Sequence, residues 1–323
     1  MIRILNGRSG LGALRAHWQA LEAAAPSLFQ RYDLALAWWR AFGAGRELAV
    51  IEAENGRGRA LLPLYRDGER LRVLGSGAFD RLDMLLEGEP PVADIAQGMR
   101  RIGCASLEVA ATSADGPLAR CLAALDSRLT QEDFSAMPLL HTGRWSAADL
   151  RAAHPRSAYR HRRLLGRGGR VRALRDYDEA RALLAAAFRL KRANLQATGQ
   201  EDLFADGCHE RWLALLARRH LGGLLRLEIL SIDGRFAAAV LYFAEPDCWH
   251  LYFTVYEPRF AKESPGTVLL WDVLERAAAQ AVPRVNFLTG EQWYKLRWHD
   301  DRLPLVRLRA GLDRAERTAV ACP

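Results

Sequence analysis

The chain has 323 residues, half of them hydrophobic, enough for a large core and more in keeping with two domains than with one. The formal charge of +8 is uneven: residues 1–150 carry 17 basic and 18 acidic side chains, and residues 151–323 carry 29 and 20. The whole positive excess lies in the second half, which marks that half as the side for a polyanion such as a nucleotide cofactor, an RNA or an acidic surface. Five scattered Cys without a CxxC pair argue against a disulfide framework or a zinc site. The opening MIRILNGRSG lacks the apolar stretch of a signal peptide, and no apolar run approaches the ~20 residues that span a bilayer. The expectation is a reduced, cytoplasmic protein with no metal and no membrane span.

In chain order, Leu11, Leu14, Trp18, Leu21 and Ala25 recur at helical spacing, and a second helix is predicted over 33–43. Strands are predicted at Leu48–Glu52, Arg59–Tyr65 and Leu71–Leu74, with Asn55-Gly56 and Asp67-Gly68 as turns. A helix at 91–102, a strand at Ser106–Ala110, a helix at 116–127 and a strand at Thr130–Leu139 follow. The second half repeats the order in outline: a strand at Arg170–Leu174, helices at 177–195 and 206–220, and strands at Leu224–Ile232, Arg235–Ala244 and Trp249–Tyr256. A helix at 265–281, a strand at Arg284–Leu288, a short helix or turn at 291–298 and a strand at Leu305–Arg309 complete it. Gly143, Ser146 and Pro155 interrupt the pattern, so the domains are read as 1–148 and 149–323.

Two C-terminal stretches carry chemistry. Ser264-Pro265-Gly266-Thr267 opens a helix, with Ser suited to the N-cap and Pro to the first helical position. Free N–H groups and the helix dipole at such an end suit a pyrophosphate, and Arg259 and Lys262 add positive charge nearby. After the next strand, Glu291, Tyr294, Lys295, Arg297 and His299 crowd beside Trp293 and Trp298. Tyr can protonate a leaving thiolate, and Glu or His can take a proton from an amine. Lys295 is one of only three Lys (with Lys191 and Lys262) against 43 Arg, a hint that a compact ammonium is wanted there. The ordinary alternative is that the two Trp are core and the charges are rim. In the first half, Asp80 and Asp83 lie in a loop after a strand, placed either to recognise an amine or sugar acceptor or to cap a neighbouring element. Arg156 to Arg175 holds eight Arg and no acid; it suits phosphate contact or the exposed face of a connecting helix. Ser/His/Asp, HExxH and Walker-type patterns are absent.

The run SPGTVLLWDVLERAAAQAVPRVNFLTGEQWYKLRW resembles the signature of the CelD/BcsL-like branch of the GNAT acyltransferase superfamily. The likeness rests on Ser-Pro-Gly, the helix, an apolar strand ending in Gly, and Tyr-Lys-x-x-Trp. The hairpin around Asp233-Gly234, Trp18, Trp38-Trp39, Leu62-Pro63-Leu64 and LGSGAFDRLD agree with it. Fem-type peptidyltransferases are the wider kin. The resemblance implies an α/β protein of tandem GNAT-like domains, each a mixed, mostly antiparallel sheet flanked by helices. It implies an N-acyltransferase moving an acyl group from a thioester donor, acyl-CoA, to a small amine acceptor, in cell-envelope or exopolysaccharide biosynthesis. By analogy Ser264, Gly266, Thr267, Arg259 and Lys262 bind the donor, between splayed strands 249–256 and 284–288. Tyr294, Lys295 and Glu291 form the reaction centre, and Asp80 and Asp83 meet the acceptor. Ser-Pro-Gly-Thr stands where the wider superfamily has Arg/Gln-x-x-Gly-x-Gly/Ala. The rival readings are an aminoacyl-tRNA-dependent Fem-like transferase and a non-catalytic partner in polysaccharide assembly.

Overall fold

The computed structural model describes residues 2–6, 10–25, 27–125, 129–197, 199, 201–202 and 204–312. The chain forms two compact units, Met1–Ser135 with Pro304–Pro323, and Ala136–Leu303. Each unit is a mixed, mostly antiparallel sheet flanked by helices, as the resemblance leads one to expect.

In the first unit the strand order is Leu85–Gly88, Gly58–Leu62, Glu47–Asn55, Leu64–Asp67, Arg70–Val73, Ser106–Thr112, Asp301–Gly311. Neighbours are antiparallel except Arg70–Val73 with Ser106–Thr112. Ile2–Asn6 adds to Glu47–Asn55. The helices Arg15–Glu22 and Tyr32–Phe42 bury Trp18, Leu21, Leu34, Trp38 and Phe42, the stripe that the helical spacing dictates.

In the second unit the order is the Ala136–Leu140 end of the strand Thr130–Leu140, then Arg284–Asn286, Cys248–Tyr256, Arg235–Ala244, Leu225–Ile232, Gly169–Ala173. Only Cys248–Tyr256 with Arg284–Asn286 is parallel. Leu241 faces Phe253 while Tyr242 faces Leu251, so Tyr252 is an extra residue, a β-bulge that switches which side chains face which way. On one side, Val240, Tyr242, Trp249 and Leu251 pack under the helix Pro265–Ala279. On the other, Phe243, Tyr252 and Phe253 meet Trp212 and Phe188 of the helices Cys208–His220 and Tyr177–Ala197.

Two helices, Ala147–Ala153 and Pro155–Leu165, occupy the stretch that the sequence pattern treats as a boundary. Ser146 and Asp149 form a capping box on the first. The second buries only Ser157, Ala158 and Leu164, too narrow a stripe to show as periodicity among so many Arg. The pattern divides the domains at 148/149, whereas the compact units divide at 135/136 and the last strand joins the first unit. The pairing of Val306–Gly311 with Ser106–Thr112 joins residues about 200 positions apart, and such pairing leaves no local trace. The short strands Ile2–Asn6 and Leu85–Gly88 are also additions to the sequence reading.

Candidate functional site

The site in the second unit begins where the sheet parts. Cys248, Trp249 and His250 pair with Arg284, Val285 and Asn286, and the pairing stops there. Past Asn286 the chain leaves the sheet: Asn286 Oδ1 accepts the Leu288 N–H at 2.8 Å, and Leu288 and Gly290 take positive φ of 59° and 108°. Gly290 is needed at that φ, a backbone conformation that L side chains rarely adopt. The buried Lys295 ammonium donates to the Thr289 carbonyl and so ties the short helix Trp293–Leu296 back to this turn.

The parting opens a cleft of about 300 Å³, lined by Thr254, Tyr256, Gly266, Leu270, Trp293 and Tyr294 among others. Ser264, Pro265 and Thr267 form the helix-start wall. Pro265 holds the first helical position. Ser264 differs from the expected N-cap: it sits in the left-handed region at φ 52° and its side chain makes no capping hydrogen bond. In that conformation the main chain bends into the helix, and its carbonyl takes the Val268 N–H at 3.1 Å. The Gly266 and Thr267 N–H groups precede the first helical bond, so the helix itself supplies them no acceptor. With the dipole behind them they form an anion-ready end. Gly266 is buried, and a Cβ on it would make ordinary contact with Thr254 Cγ2 at 3.5 Å; the position holds the cleft wall thin rather than serving a special turn.

The helix that presents this end is fixed by a polar clamp. Glu228, 2 % exposed, accepts the Tyr242 hydroxyl at 2.7 Å and the Arg276 guanidinium at 2.9 Å. Arg276 also reaches Asp272 at 3.0 Å, and Asp272 bonds His161 at 3.0 Å. Burial pushes the Asp272 carboxyl up, but His161 and Arg276 outweigh it and hold it below the ordinary range. The sequence reading did not detect this clamp.

Of the residues named from sequence, the cleft brings together Ser264, Gly266, Thr267 and Tyr294. Tyr294 is half-buried, its hydroxyl has no hydrogen-bond partner among the described residues, and burial raises its phenol above the ordinary value. It is therefore protonated throughout the physiological range. Lys295 is adjacent but turned to the Thr289 carbonyl. Glu291 is exposed and pairs with Arg302 at 3.0 Å. Arg259 and Lys262 are exposed in the 3-10 turn Pro258–Glu263, Arg259 lying over the Phe260 ring at 5.0 Å. Trp298 is core, whereas Trp293 is 71 % exposed and lines the cleft. Thr254 and Tyr256 are lining residues that the sequence reading left out; alternation along a bulged strand does not reveal them.

In the first unit Asp83 is buried and does the work of a cap. Its Oδ1 accepts the N–H of Leu118 and of Met84, each at 2.9 Å, at the start of the helix Pro117–Leu125. Burial raises its carboxyl above the usual range, although those two N–H groups pull the other way. The void beside it is about 10 Å³, room for one water and not for an acceptor. Asp80 lies in the preceding loop, half-buried.

Residues 152–296 match the family model of the acetyltransferase (GNAT) domain. This region is similar to a GNAT-type acyltransferase domain. The match spans the helix start, the cleft and Tyr294, and the GNAT chemistry implies an acyl-CoA type of donor in general. No curated protein matches the sequence. Among solved structures, FemX is similar with a TM-score of 0.64 at 10 % identity, covering 92 % of this chain and 96 % of that one. A tandem GNAT protein from the clavulanic acid biosynthesis pathway gives 0.56 at 15 %, covering 98 % and 100 %. A conserved protein of unknown function from Bacteroides thetaiotaomicron gives 0.61 at 15 %, covering 97 % and 100 %. At these identities the likeness shows the fold, a tandem GNAT-like α/β architecture. Among the described residues no group of His, Cys, Asp and Glu gathers that could hold a metal ion, and no helix is long and apolar enough to cross a membrane.

Proposed function

We propose that the second unit transfers an acyl group from a thioester donor, of the acyl-CoA class, to an amine. What carries this reading is one juxtaposition: an uncapped helix start and a half-buried phenol without a hydrogen-bond partner among the described residues line the same cleft. The Gly266 and Thr267 N–H groups receive an anionic group of the donor, with Arg259 and Lys262 on the rim. The acceptor nitrogen attacks the thioester carbonyl, the C–N bond forms and the C–S bond breaks. The departing thiolate takes the Tyr294 proton, and the nitrogen gives its own proton to water. A phenol held protonated by burial suits that step. Glu291 stands outside this scheme as the structure pairs it, and Lys295 acts by holding the turn that carries Tyr294. The acceptor's place in cell-envelope or exopolysaccharide assembly rests on the sequence resemblance.

The test is thiol release from acetyl-CoA and longer acyl-CoAs with a panel of primary amines. Tyr294→Phe removes only the phenolic proton, and turnover should fall ~10²–10⁴-fold while the melting temperature stays near that of the wild type. Full activity in this variant would remove Tyr294 from the reaction.

A further inference from the structure

Outside the cleft, the strongest unexplained feature of the second unit is a group of arginines that have no carboxylate partner among the described residues. Arg156 and Arg160 lie one turn apart on the helix Pro155–Leu165, share its outer face and are exposed. His154, at the start of that helix, packs on the Trp298 ring at 4.9 Å, which brings the neighbouring Arg297, only partly exposed, to this end of the helix from the segment after Trp293–Leu296. Its guanidinium is fixed over the Trp298 ring at 5.0 Å. Burial first, then Arg160 and Arg156, push the Arg297 guanidinium down from its ordinary value, with no carboxylate opposing them.

Several other arginines of this unit are paired. Arg192 meets Asp202 at 2.7 Å, Arg284 meets Asp247 at 2.6 Å, Arg302 meets Glu291 at 3.0 Å, and Arg172 meets Glu179. Two acids on the helix that packs against Pro155–Leu165 are taken: Asp272 by His161 and Arg276, and Glu275 by Arg151. Three like charges, one of them partly desolvated and pre-oriented on an indole, raise the free energy of the empty protein. An anion that accepts several N–H bonds at once offsets that cost, and planar guanidinium forks fit phosphate oxygens.

We propose that Arg156, Arg160 and Arg297 form a phosphate-binding site, separate from the helix start at Pro265. Arg297 follows Trp293 by one helical turn, so the site lies next to the cleft mouth. It suits a phosphate carried by a ligand whose other end enters the cleft. Arg163 continues the same helix face and Tyr159, 58 % exposed, stands beside it, so a chain of phosphates with stackable bases would also find contacts. The phosphate has two sources: the nucleotide part of a small thioester donor, or the backbone of an RNA.

Binding of coenzyme A, dephospho-coenzyme A and a short single-stranded RNA is measured on the full chain, wild type against Arg156→Gln, Arg160→Gln and Arg297→Gln. These are binding measurements, so their failure and the failure of the acyl-transfer reading are distinguishable. If the site serves the small donor, wild type prefers coenzyme A to dephospho-coenzyme A, and each variant loses most of that preference. If it serves RNA, each variant weakens the oligonucleotide severalfold and lowers the slope of log K on log salt by about 0.7. Without ligand, Arg160→Gln and Arg156→Gln should melt at or above the wild-type temperature in low salt, because a repulsion is removed; the two exposed positions carry the test even if Arg297→Gln folds poorly. Wild type that binds none of the probes, or variants that bind and melt as wild type does, would overturn the site.

Discussion

Two helix starts in this protein are built alike and used differently. Pro117–Leu125 and Pro265–Ala279 both begin with Pro, and both follow a strand that has a parallel neighbour. In the first unit the chain fills the start with its own carboxylate, Asp83, which takes the Leu118 N–H and leaves a void of about 10 Å³. In the second unit no side chain caps the start, the residue before Pro265 is left-handed, and a cleft of about 300 Å³ opens in front. Dipole and orphan N–H groups are common to both. What distinguishes a fold-holding end from a ligand-ready one is whether an internal anion already occupies it.

The sharpest way to break the contrast is to give the open end its own acid. Gly266→Asp has room, since a Cβ there makes only ordinary contacts, and an acid in a first helical turn adds ~0.3–1 kcal/mol of stability. Donor affinity should fall by more than ~100-fold through like-charge repulsion, with an unchanged or raised melting temperature. Unchanged affinity would place the donor's anionic group elsewhere.

The converse change empties the closed end. Asp83→Ala should cost ~1–3 kcal/mol in chemical denaturation, because it strands buried N–H groups; no loss of stability would mean that the carboxylate is not what closes this end. Asp83→Asn keeps an acceptor and should cost less. The pH dependence has a definite sign. A carboxyl whose folded pKa lies above its unfolded value, 3.8, contributes stability at low pH and loses it as pH rises through the folded pKa. The advantage of wild type over Asp83→Asn should therefore shrink across that rise and be flat above it. The smallest effect belongs to the exposed rim: Lys262→Gln should weaken donor binding only severalfold, and less so in high salt. A loss as large as that of Gly266→Asp would show that Lys262 is a direct ligand.

The sequence makes part of this contrast readable. Pro265 at a helix start, the apolar strands and the Tyr294 neighbourhood follow from composition and periodicity. Asp83 stands in the sequence as either a cap or a ligand, and only burial chooses between them. The left-handed Ser264 is hidden, since Ser before Pro reads as an ordinary N-cap. The bulge at Tyr252 is hidden because the strand's apolar run is continuous on both faces, so the exposure of Thr254 and Tyr256 cannot be read from alternation. Trp293 and Trp298 look alike as letters, yet one is 71 % exposed and the other 2 %. The Arg297 group is assembled from two segments about 140 positions apart, beyond the reach of any local pattern.

The parting of Cys248–Tyr256 from Arg284–Asn286 has a consequence for the shape of what enters. Beyond His250 the strand keeps one neighbour and lacks the other, so the sheet has an edge in its interior. Edges recruit extended chains through main-chain hydrogen bonds, and flat open edges invite unwanted pairing between proteins. This one is narrowed by Trp293 and Tyr294, which leaves room for a single slender arm rather than a second β-strand with side chains on both faces. A ligand whose arm carries amide groups can add itself to the edge as a missing strand would, and an arm without amides forfeits those bonds.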